Sequence, residues 1–401
     1  MESLSSAQHR LVAQMPRIAD FEWVPVREAA GRYLAVDVVA EQDVPSAPVS
    51  LFDGYALHAP AAVDWVADVA GTTFAGEPAG QLPNQQVVWR IFTGAPLPVG
   101  ANAVVAQEST VSAEQGQIVL KEAMKPGAGV RPQGADSQRG ARVLAAGHRL
   151  DAAALALLTS VGRASVPVVR RPRVAVFTTG DELVEPGQPL PPGKIYDANH
   201  PLLSVSLARL GAEVVDLGVL PDDLAAIKSA LIEQAGRVDL LLTSGGVSVG
   251  DADLVRAAVS ELGSIDAWRV FLKPGKPLAY GRVGQTPFIG LPGNPVSTFV
   301  TFQLFVRPAL RAIQGADAGL DSPVIRLPLA TDYVAGDRPE FIRVRRVLSP
   351  SGETALEIFP NQNSGLLSSL AWADGVALVP PDQRLSAGSP VDYFPFDGWF
   401  S

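Results

Sequence analysis

Two lysines, Lys273 and Lys276, are the pair of side chains whose spacing most directly suggests ligand binding. They lie three residues apart in a chain that contains only six lysines, and prolines and a glycine surround them. Because these neighbours restrict the backbone, the two ammonium groups would stay close together at a small ordering cost when an anion binds. The motif predicts an anion site, although a solvated surface turn explains the motif alone equally well.

Three loops rich in Gly, Ser, Thr and Asn follow predicted strands, at residues 178–182, 243–246 and 292–294. In a doubly wound α/β sheet such loops gather at the carboxyl ends of the strands, where ligands bind and helix N-termini present free N–H groups. Phosphate is the natural ligand of such a site. Each loop alone is more often a simple connecting turn, but three in one domain weaken that alternative.

Carboxylates lie directly beside two of these loops. Asp181 and Glu182 end the first loop, and Asp251 and Asp253 follow the second. Carboxylates next to phosphate-binding backbone are the usual means of holding Mg²⁺. The sequence therefore predicts a magnesium site, with helix capping as the alternative role of Asp251 or Asp253.

The elements that must position these loops form an alternating pattern between Arg173 and Gly315. Short β-branched runs alternate with amphipathic helical patterns, which is typical of an α/β domain. We predict strands at residues 173–177, 213–219, 239–243, 266–270, 277–283 and 287–291, and helices at residues 199–210, 222–234 and 252–262. A long helix begins after Asn294, the predicted cap, with Pro295 as its first residue, and ends at Gly315.

The flanking segments are predicted to be β-rich, and the first of them to be antiparallel. Residues 3–19 and 151–161 have helical spacing, so the segments before and after the first β domain are predicted to pair as one discontinuous element. The predicted division is a discontinuous linker domain at 1–43 and 137–171, a small β-rich domain at 44–136, the α/β domain at 172–316 and a barrel-like β domain at 317–401.

Composition excludes several classes of function. The chain has 401 residues, 47% of them apolar, with a net charge of −9, so it is globular and its overall field opposes nucleic acid and anionic membranes. It has no cysteine and four histidines, which excludes thiolate chemistry and makes a histidine metal cage improbable. Residues 1–20 lack the pattern of a signal peptide and no apolar run is long enough to span a bilayer, so we predict a cytoplasmic protein without membrane or nucleic-acid partners.

Six motifs occur in the order that is characteristic of one enzyme family. They are Asp53-Gly54-Tyr55-Ala56, Thr93-Gly94-Ala95-Pro96-Leu97-Pro98, Thr179-Gly180-Asp181-Glu182, Ser244-Gly245-Gly246-Val247-Ser248-Val249-Gly250-Asp251, Lys273-Pro274-Gly275-Lys276-Pro277 and Pro292-Gly293-Asn294-Pro295-Val296-Ser297. The sequence resembles the molybdopterin molybdenumtransferases, the bacterial MoeA type related to the C-terminal domain of gephyrin. The resemblance covers roughly residues 10 to 380.

The resemblance implies a fold and an activity. The fold is α/β plus β: an elongated multidomain subunit with a central three-layer α/β molybdopterin-binding domain, two small β-rich domains and a helical N-terminal element. The activity is the insertion of molybdate into adenylylated molybdopterin with release of AMP and involvement of Mg²⁺. Implied partners are a second copy of the chain in a homodimer, the molybdopterin adenylyltransferase and molybdoenzyme maturation proteins.

The resemblance also assigns site residues in three groups. The catalytic group would be Asp53, Thr93, Asp136, Asp181, Glu182, Asp239 and Asp251, with Asp181, Glu182 and Asp251 as magnesium ligands. Molybdate would be bound by Lys273, Lys276, Ser297, Arg343 and Ser364. Molybdopterin and its phosphate would be bound by Arg131, Thr179, Gly180, Ser244, Gly245, Gly246, Ser248, Pro292, Gly293 and Asn294.

Three positions depart from the family pattern and leave two alternatives open. Phe52 stands where Met is frequent, Ala135 where Glu is frequent, and Asn363 where Gly is frequent. The alternatives are a scaffold that binds molybdopterin or clusters proteins without turnover, and a molybdopterin adenylyltransferase. The lysines and acids favour an enzyme over a scaffold, and the two β-rich flanks disfavour the adenylyltransferase, whose α/β domain usually stands alone.

Overall fold

The computed structural model describes residues 3–246, 253–275, 277–316, 324–349 and 352–399. Three predicted site residues, Ser248, Asp251 and Lys276, therefore lie outside the described residues.

The aliphatic runs of the central segment form a six-stranded sheet. Its strands, in spatial order, are Glu213–Leu220, Arg173–Thr179, Leu240–Ser244, Thr286–Leu291, Pro277–Val283 and Gly263–Arg269. The first four strands are parallel, Pro277–Val283 runs antiparallel to them, and Gly263–Arg269 pairs antiparallel with Pro277–Val283. A separate pair of short parallel strands, Leu183–Val184 and Ile195–Tyr196, follows the first loop.

Helices cover both faces of this sheet. Successive side chains of each strand point to opposite faces, and because the central strands are mostly apolar, both faces must be buried. Along the central strand, Val174 and Val176 belong to one fully buried cluster, and Ala175 and Phe177 to another. The helices are Asn199–Arg209, Leu224–Gln234, Leu254–Leu262, Pro295–Thr301 and Arg307–Ile313. The predicted three-layer α/β architecture is confirmed. No helix among the described residues is long and apolar enough to cross a membrane.

The long helix predicted after Asn294 contains a π-helical segment. Phe302–Val306 is a π-helix between the α-helical segments Pro295–Thr301 and Arg307–Ile313. Pro308 has no N–H to donate to the carbonyl of Leu304, four residues earlier. The side chain of Gln8 donates to that carbonyl at 2.7 Å. The N-terminal helix Leu4–Ala13 is thereby joined to the central domain.

The segments before and after the small β domain pair as predicted, but through strands and not through the helices predicted at residues 3–19 and 151–161. Ala7 and Leu11 of the helix Leu4–Ala13 are buried against the central domain. The helix Ala152–Ser160 packs instead in a cluster with Val26 and Leu34. The flanking segments do meet through strands: Phe21–Pro25 pairs with Ser165–Val169, and Val38–Val39 with Arg142–Leu144.

The small domain that follows is a mixed sheet. Its strands, in spatial order, are Ala103–Ala106, Gly54–Leu57, Val87–Ile91, Val66–Thr73, Gln117–Leu120 and Thr110–Ser112, and Val49–Ser50 pairs separately with Val130–Arg131. The predicted antiparallel arrangement is wrong for one pair, because Val66–Thr73 and Val87–Ile91 run parallel. The 13 residues between these two strands are enough for the chain to return to the end of the sheet at which the first of them began.

The C-terminal domain is an antiparallel sheet that curls on itself. Its five main strands, in spatial order, are Ile325–Pro328, Pro390–Pro395, Gly375–Val379, Glu340–Leu348 and Thr354–Ile358, with the pair Tyr333–Val334 and Arg384–Leu385 and the short helices Ser368–Trp372 and Phe396–Trp399 beside them. Ala330 donates to the carbonyl of Leu356 at 2.8 Å, which links the segment after the first strand to the last strand. This closure makes the sheet barrel-like. Phe341 and Val376 extend into the core of the central domain.

Candidate active site

The three predicted ligand loops meet at the carboxyl edge of the parallel strands. Ser244 donates through its hydroxyl to the carbonyl of Pro292 at 2.8 Å, and Gly245 donates through its N–H to Leu291 at 3.1 Å. The amide of Asn199 donates to the Ser244 hydroxyl at 2.9 Å and to the Gly293 carbonyl at 2.6 Å. These bonds fix the second and third loops against each other and against the helix that follows the first loop.

Glycine is required at two positions of the second loop. Gly245 and Gly246 have φ angles of +94° and +63°, in the left-handed region. A Cβ on Gly245 would lie 2.8 Å from the carbonyl oxygen of Thr179, and one on Gly246 would lie 2.5 Å from Val255 Cγ2. Only glycine therefore lets this loop approach the first loop so closely.

The loops and the C-terminal domain enclose a cavity of about 730 Å³. Predicted site residues that line it are Thr179, Gly180, Glu182, Gly245, Gly246, Lys273, Pro292, Gly293, Asn294, Ser297 and Ser364. The other polar lining side chains are Asp222, Arg338, Gln362 and Asn363. The cavity thus combines hydroxyl, amide, cationic and carboxylate groups within reach of one ligand.

A second cavity of about 590 Å³ adjoins the first. The two share the lining residues Thr179, Glu182, Gly245, Gly293 and Asn294. Tyr196, Asn199 and Ser244 line only the second cavity. The site therefore has two compartments that meet at the three loops.

Asp222 is a cavity carboxylate that sequence reasoning missed. It accepts hydrogen bonds from the Thr179 hydroxyl and, at 3.2 Å, from the backbone N–H of Asp181. The neighbouring Asp223 caps the helix Leu224–Gln234 by accepting from Ala226 N–H at 2.8 Å. Two adjacent aspartates before one helix were the available signal, because only one of them is needed as the cap.

The predicted acidic residues are only partly brought together. Glu182 lines both cavities, whereas the exposed Asp181 lies beside them and its carbonyl accepts from Lys194. Among the residues that the structure describes, no three His, Asp or Glu side chains form a group that could hold a metal ion. Glu182 and Asp222 nevertheless fit the usual magnesium mode, in which one or two carboxylates act together with substrate phosphates.

Asp239 does not lie with the other predicted catalytic acids. It directly precedes the strand Leu240–Ser244, so it lies at the amino edge, whereas Ser244 reaches the carboxyl edge. At about 3.3 Å per residue, the strand separates the two residues by roughly 16 Å. At this distance Asp239 does not line the cavity. Its carboxylate accepts hydrogen bonds from Arg170 instead.

Arg338, and not Arg343, brings a guanidinium to the cavity. The Arg338 side chain is anchored by a hydrogen bond from Nη1 to the carbonyl of Leu272 at 3.2 Å. Arg343 is only 1% exposed, and burial lowers the pKa of its guanidinium to about 10. Its Nε donates to Ser369 at 3.1 Å and its Nη2 donates to the carbonyl of Asn363 at 3.1 Å. Arg343 therefore supports the loop that carries Ser364 and does not itself line the cavity.

The C-terminal domain contributes directly to the site. The amide of Asn294 donates to the Ser364 hydroxyl at 3.1 Å, and the N–H of Val296 donates to the Ser364 carbonyl at 3.1 Å. On the opposite side, Lys273 Nζ lies 2.9 Å from a carboxylate oxygen of Glu340. Sequence reasoning assigned Glu340 no role.

The predicted residues of the small domain lie outside both cavities. Asp53 Oδ1 accepts from the N–H and the hydroxyl of Thr93, each at 2.8 Å. Both hydrogen bonds from Thr93 lower the pKa of Asp53, and the bond from the backbone N–H has the larger effect. Arg131 and Asp136 are about half exposed, with 3.8 Å between Nη2 and Oδ1. The single chain therefore presents these four side chains on its surface.

Asp197 joins the first loop to the helix Asn199–Arg209. The buried Asp197 accepts from the Thr178 hydroxyl at 2.5 Å and from the N–H groups of Asn199 and His200 at 3.0 and 3.1 Å. The available signal in the sequence was the polar run Asp197-Ala198-Asn199-His200 at the start of the predicted helix. Sequence reasoning assigned Asp197 no role.

Known proteins match the chain along nearly all its length. The model of the MoeA N-terminal region (domain I and II) matches residues 2–162, that of a probable molybdopterin binding domain matches residues 175–312, and that of the MoeA C-terminal region (domain IV) matches residues 326–396. The chain is 37% identical to the molybdopterin molybdenumtransferase of Haemophilus influenzae over 402 residues, which cover 99% of each chain. It is 36% identical to the molybdenum cofactor synthesis protein cinnamon of Drosophila melanogaster over 356 residues, covering 86% of this chain and 59% of that protein.

A solved structure extends the match to the whole fold. The crystal structure of the molybdopterin biosynthesis MoeA protein from Pyrococcus horikoshii OT3 has a TM-score of 0.84 and 29% sequence identity, and the match covers 99% of this chain and 100% of that one. Full-length identity of 37% to a molybdopterin molybdenumtransferase agrees with this architecture. The chain therefore belongs to the molybdopterin molybdenumtransferase family, the transferases of molybdenum cofactor biosynthesis.

Proposed function

We propose that this chain inserts molybdate into adenylylated molybdopterin and releases AMP. The observation that carries the proposal is the cavity in which Lys273 and Arg338 face the glycine-rich loops, with Glu182 and Asp222 on its wall. Cationic groups, backbone N–H groups and carboxylates are the three kinds of group that this reaction needs. They bind the oxyanion, hold the phosphate and recruit a divalent cation.

Molybdate binds at the boundary between the central and C-terminal domains. Lys273 and Arg338 supply positive charge, and Ser297 and Ser364 supply hydroxyl groups that donate hydrogen bonds. A dianion needs such a local positive site in a protein whose net charge is −9. Because the chain has no cysteine, the sulfur ligands of the metal come from the dithiolene of the substrate. Lys276, outside the described residues, remains a predicted second ammonium group of this site.

The adenylylated substrate spans the two compartments. Gly180, Gly245 and Gly293 let the phosphate approach the backbone, and the second cavity, with Tyr196 and Asn199, accommodates the pterin. By binding both substrates side by side, the protein holds the reacting groups in a fixed orientation. This orientation is most of what the protein must contribute to the rate, because the reaction no longer depends on a random encounter.

Glu182 and Asp222 are the residues that we expect to hold Mg²⁺ together with the substrate phosphates. When bound there, the ion would neutralise charge on the phosphoanhydride as it breaks. Asp181 positions this pair through its N–H bond to Asp222. Asp251 remains a predicted further ligand outside the described residues.

Asp53, Thr93, Arg131 and Asp136 act from a second copy of the chain in a homodimer. Their support is the resemblance together with their exposed position outside the cavities of their own chain. A symmetric dimer would place the small domain of each copy over the cavity of the other. We also propose the molybdopterin adenylyltransferase as supplier of the substrate and molybdoenzyme maturation proteins as recipients of the product.

Incubation with adenylylated molybdopterin, Mg²⁺ and molybdate tests the function directly. We expect AMP release that depends on molybdate and on the divalent cation. Binding of molybdopterin without AMP release would support the scaffold alternative, and pyrophosphate release from ATP and molybdopterin would support the adenylyltransferase. Lys228→Ala is the matched control for a substitution of Lys273. Each lysine pairs with a glutamate, Lys228 with Glu261 at 2.6 Å, but Lys228 does not line the cavity.

A further inference from the structure

The cationic side of the cavity contains a buried carboxylate. Glu340 is 3% exposed, and its Oε1 lies 2.9 Å from Nζ of Lys273, whose side chain is 45% exposed. Lys273 lines the cavity, whereas the buried Glu340 does not. The side chain of Lys273 therefore combines an ion pair to a buried carboxylate with a position on the cavity wall.

Glu340 is held in place by bonds other than the one to Lys273. It accepts from the Tyr333 hydroxyl at 2.5 Å and from the N–H of Gly336 at 3.1 Å. Burial raises the pKa of Glu340, but the hydrogen bonds from Tyr333 and Lys273 outweigh burial and leave the pKa below its ordinary value. The carboxylate is therefore ionised at neutral pH and fixed in position.

The backbone joins the same two residues. Lys273 N–H donates to the carbonyl of Pro339 at 2.9 Å, and the N–H of Phe341 donates to the carbonyl of Lys273 at 2.8 Å. These bonds form a parallel bridge between the lysine and Glu340. Backbone hydrogen bonds and the side-chain ion pair therefore both hold Lys273 beside Glu340.

An ionised carboxylate beside an oxyanion site has a measurable consequence. It orders the lysine, which favours a productive geometry, and its negative charge opposes a second anion bound to the same ammonium. An enzyme that must pass its oxyanion on gains from a site that orients the ion without retaining it.

We propose that Glu340 is a positioning residue of the oxyanion site: it aims Lys273 Nζ into the cavity and weakens the binding of free molybdate, so that the ion passes to the second substrate. This inference rests on the proposed function.

The test measures molybdate binding to the substrate-free protein by calorimetry, and separately the rate of AMP release at saturating molybdate. Glu340→Gln keeps the size of the side chain and removes its charge. We expect it to bind molybdate at least about fivefold more tightly than the wild type and to release AMP at least about threefold more slowly. Glu357→Gln is the matched control, because Glu357 pairs with Arg345 at 2.7 Å in the same domain and lies outside the cavity. We expect both measurements to match the wild type in this control.

A second comparison remains informative if Glu340→Gln does not fold. Lys273→Met leaves Glu340 opposite the ligand without its partner, and the double variant Lys273→Met/Glu340→Gln removes both charges. The double variant should bind molybdate at least about fivefold more tightly than Lys273→Met. Unchanged or weaker molybdate binding when Glu340 is neutralised, in either background, would overturn the inference. Absence of AMP release by the wild type, with the binding difference intact, would contradict only the proposed function.

Discussion

The guanidinium of Arg170 donates to both carboxylate oxygens of Asp239, at 2.7 and 2.8 Å. Arg170 follows the strand Ser165–Val169 of the linker region, and Asp239 precedes a strand of the central sheet. Asp239 also accepts from the N–H of Arg173 at 2.7 Å. One carboxylate thus fixes the connection between the two regions at the edge of the sheet that is opposite the cavity.

Asp239→Ala should lower stability and leave the proposed chemistry intact. The Asp239 side chain is 16% exposed and its three charge-assisted hydrogen bonds would be lost, so we expect a loss of about 2 to 3 kcal/mol in the free energy of unfolding. Chemical denaturation measures this loss, and AMP release measures the activity. The control is Glu213→Ala, which removes a more exposed partner of Arg173 at the same edge and should cost less than about 1 kcal/mol. Loss of AMP release at unchanged stability would return Asp239 to the catalytic group.

Asp222 and Asp223 are adjacent in the sequence, but only Asp222 lines the cavity. We expect Asp222→Asn to reduce AMP release at least roughly a hundredfold, because the neutral amide cannot serve the cation that the phosphates need. Asp223→Asn should keep normal activity, and Asp223→Ala should lose about 1 kcal/mol of stability, since Asp223 serves as the helix cap. The measurements are AMP release across a range of Mg²⁺ concentrations and thermal unfolding. The opposite assignment would follow if Asp223 controlled the activity and Asp222 only the stability.

The convergence of the loops could be predicted from the sequence because it follows from strand direction. Val174 to Phe177 alternate between two buried clusters, and the ends of parallel strands must share one edge. The same rule would have placed Asp239 correctly, since a residue that begins a parallel strand lies at the amino edge. The resemblance alone assigns Asp239 a catalytic role, whereas its position before the strand Leu240–Ser244 places it away from the cavity.

Other features depend on contacts between residues distant in the sequence. Arg343 lies within the strand Glu340–Leu348 and Arg338 precedes it, and which of the two reaches the cavity becomes clear only when the C-terminal domain packs against the central one. The pairing of Lys273 with Glu340 spans 67 residues and has no local signal. The position of the helix Leu4–Ala13 similarly depends on a carbonyl that Pro308 leaves without its usual partner.

Arg338 and Arg343 should differ in the property that their substitution changes. Arg338→Ala should raise the molybdate concentration needed for half-maximal AMP release at least about tenfold, with little change in stability, because Arg338 faces the cavity. Arg343→Met should lower the free energy of unfolding by about 2 to 4 kcal/mol, because the buried hydrogen bonds to Ser369 and Asn363 are lost. Substrate titrations and denaturation curves measure the two effects. A large stability loss in Arg338→Ala with unchanged molybdate dependence would reverse the assignment.

A homodimer with shared sites predicts that two inactive variants complement each other. Asp53→Asn would remove the contribution of the small domain, and Lys273→Ala would remove the ammonium of the cavity. Mixing them under conditions of subunit exchange should restore roughly a quarter of wild-type AMP release, since half the dimers are mixed and each has one intact site. Light scattering verifies the dimer, and each variant mixed with itself is the control. No recovery from a dimer with verified exchange would place both residues in the site of a single chain.

Acidification should remove the contribution of Glu340 to folding. Its folded-state pKa lies below the ordinary value of 4.5, despite burial, because Tyr333 and Lys273 bind the ionised form. A group with a depressed folded pKa contributes stability that is complete above its unfolded value and is lost as the pH falls through the folded value. At neutral pH we therefore expect the wild type to be more stable than Glu340→Gln, and the difference should narrow progressively below pH 4.5. Denaturation curves of both proteins across this range measure the difference, and Glu357→Gln compared with the wild type corrects for the general effect of removing one exposed acid. A stability difference that stays constant through the acidic range would mean that the folded protein does not favour the ionised carboxylate of Glu340. The ion pair with Lys273 would then contribute nothing to holding the two domains together.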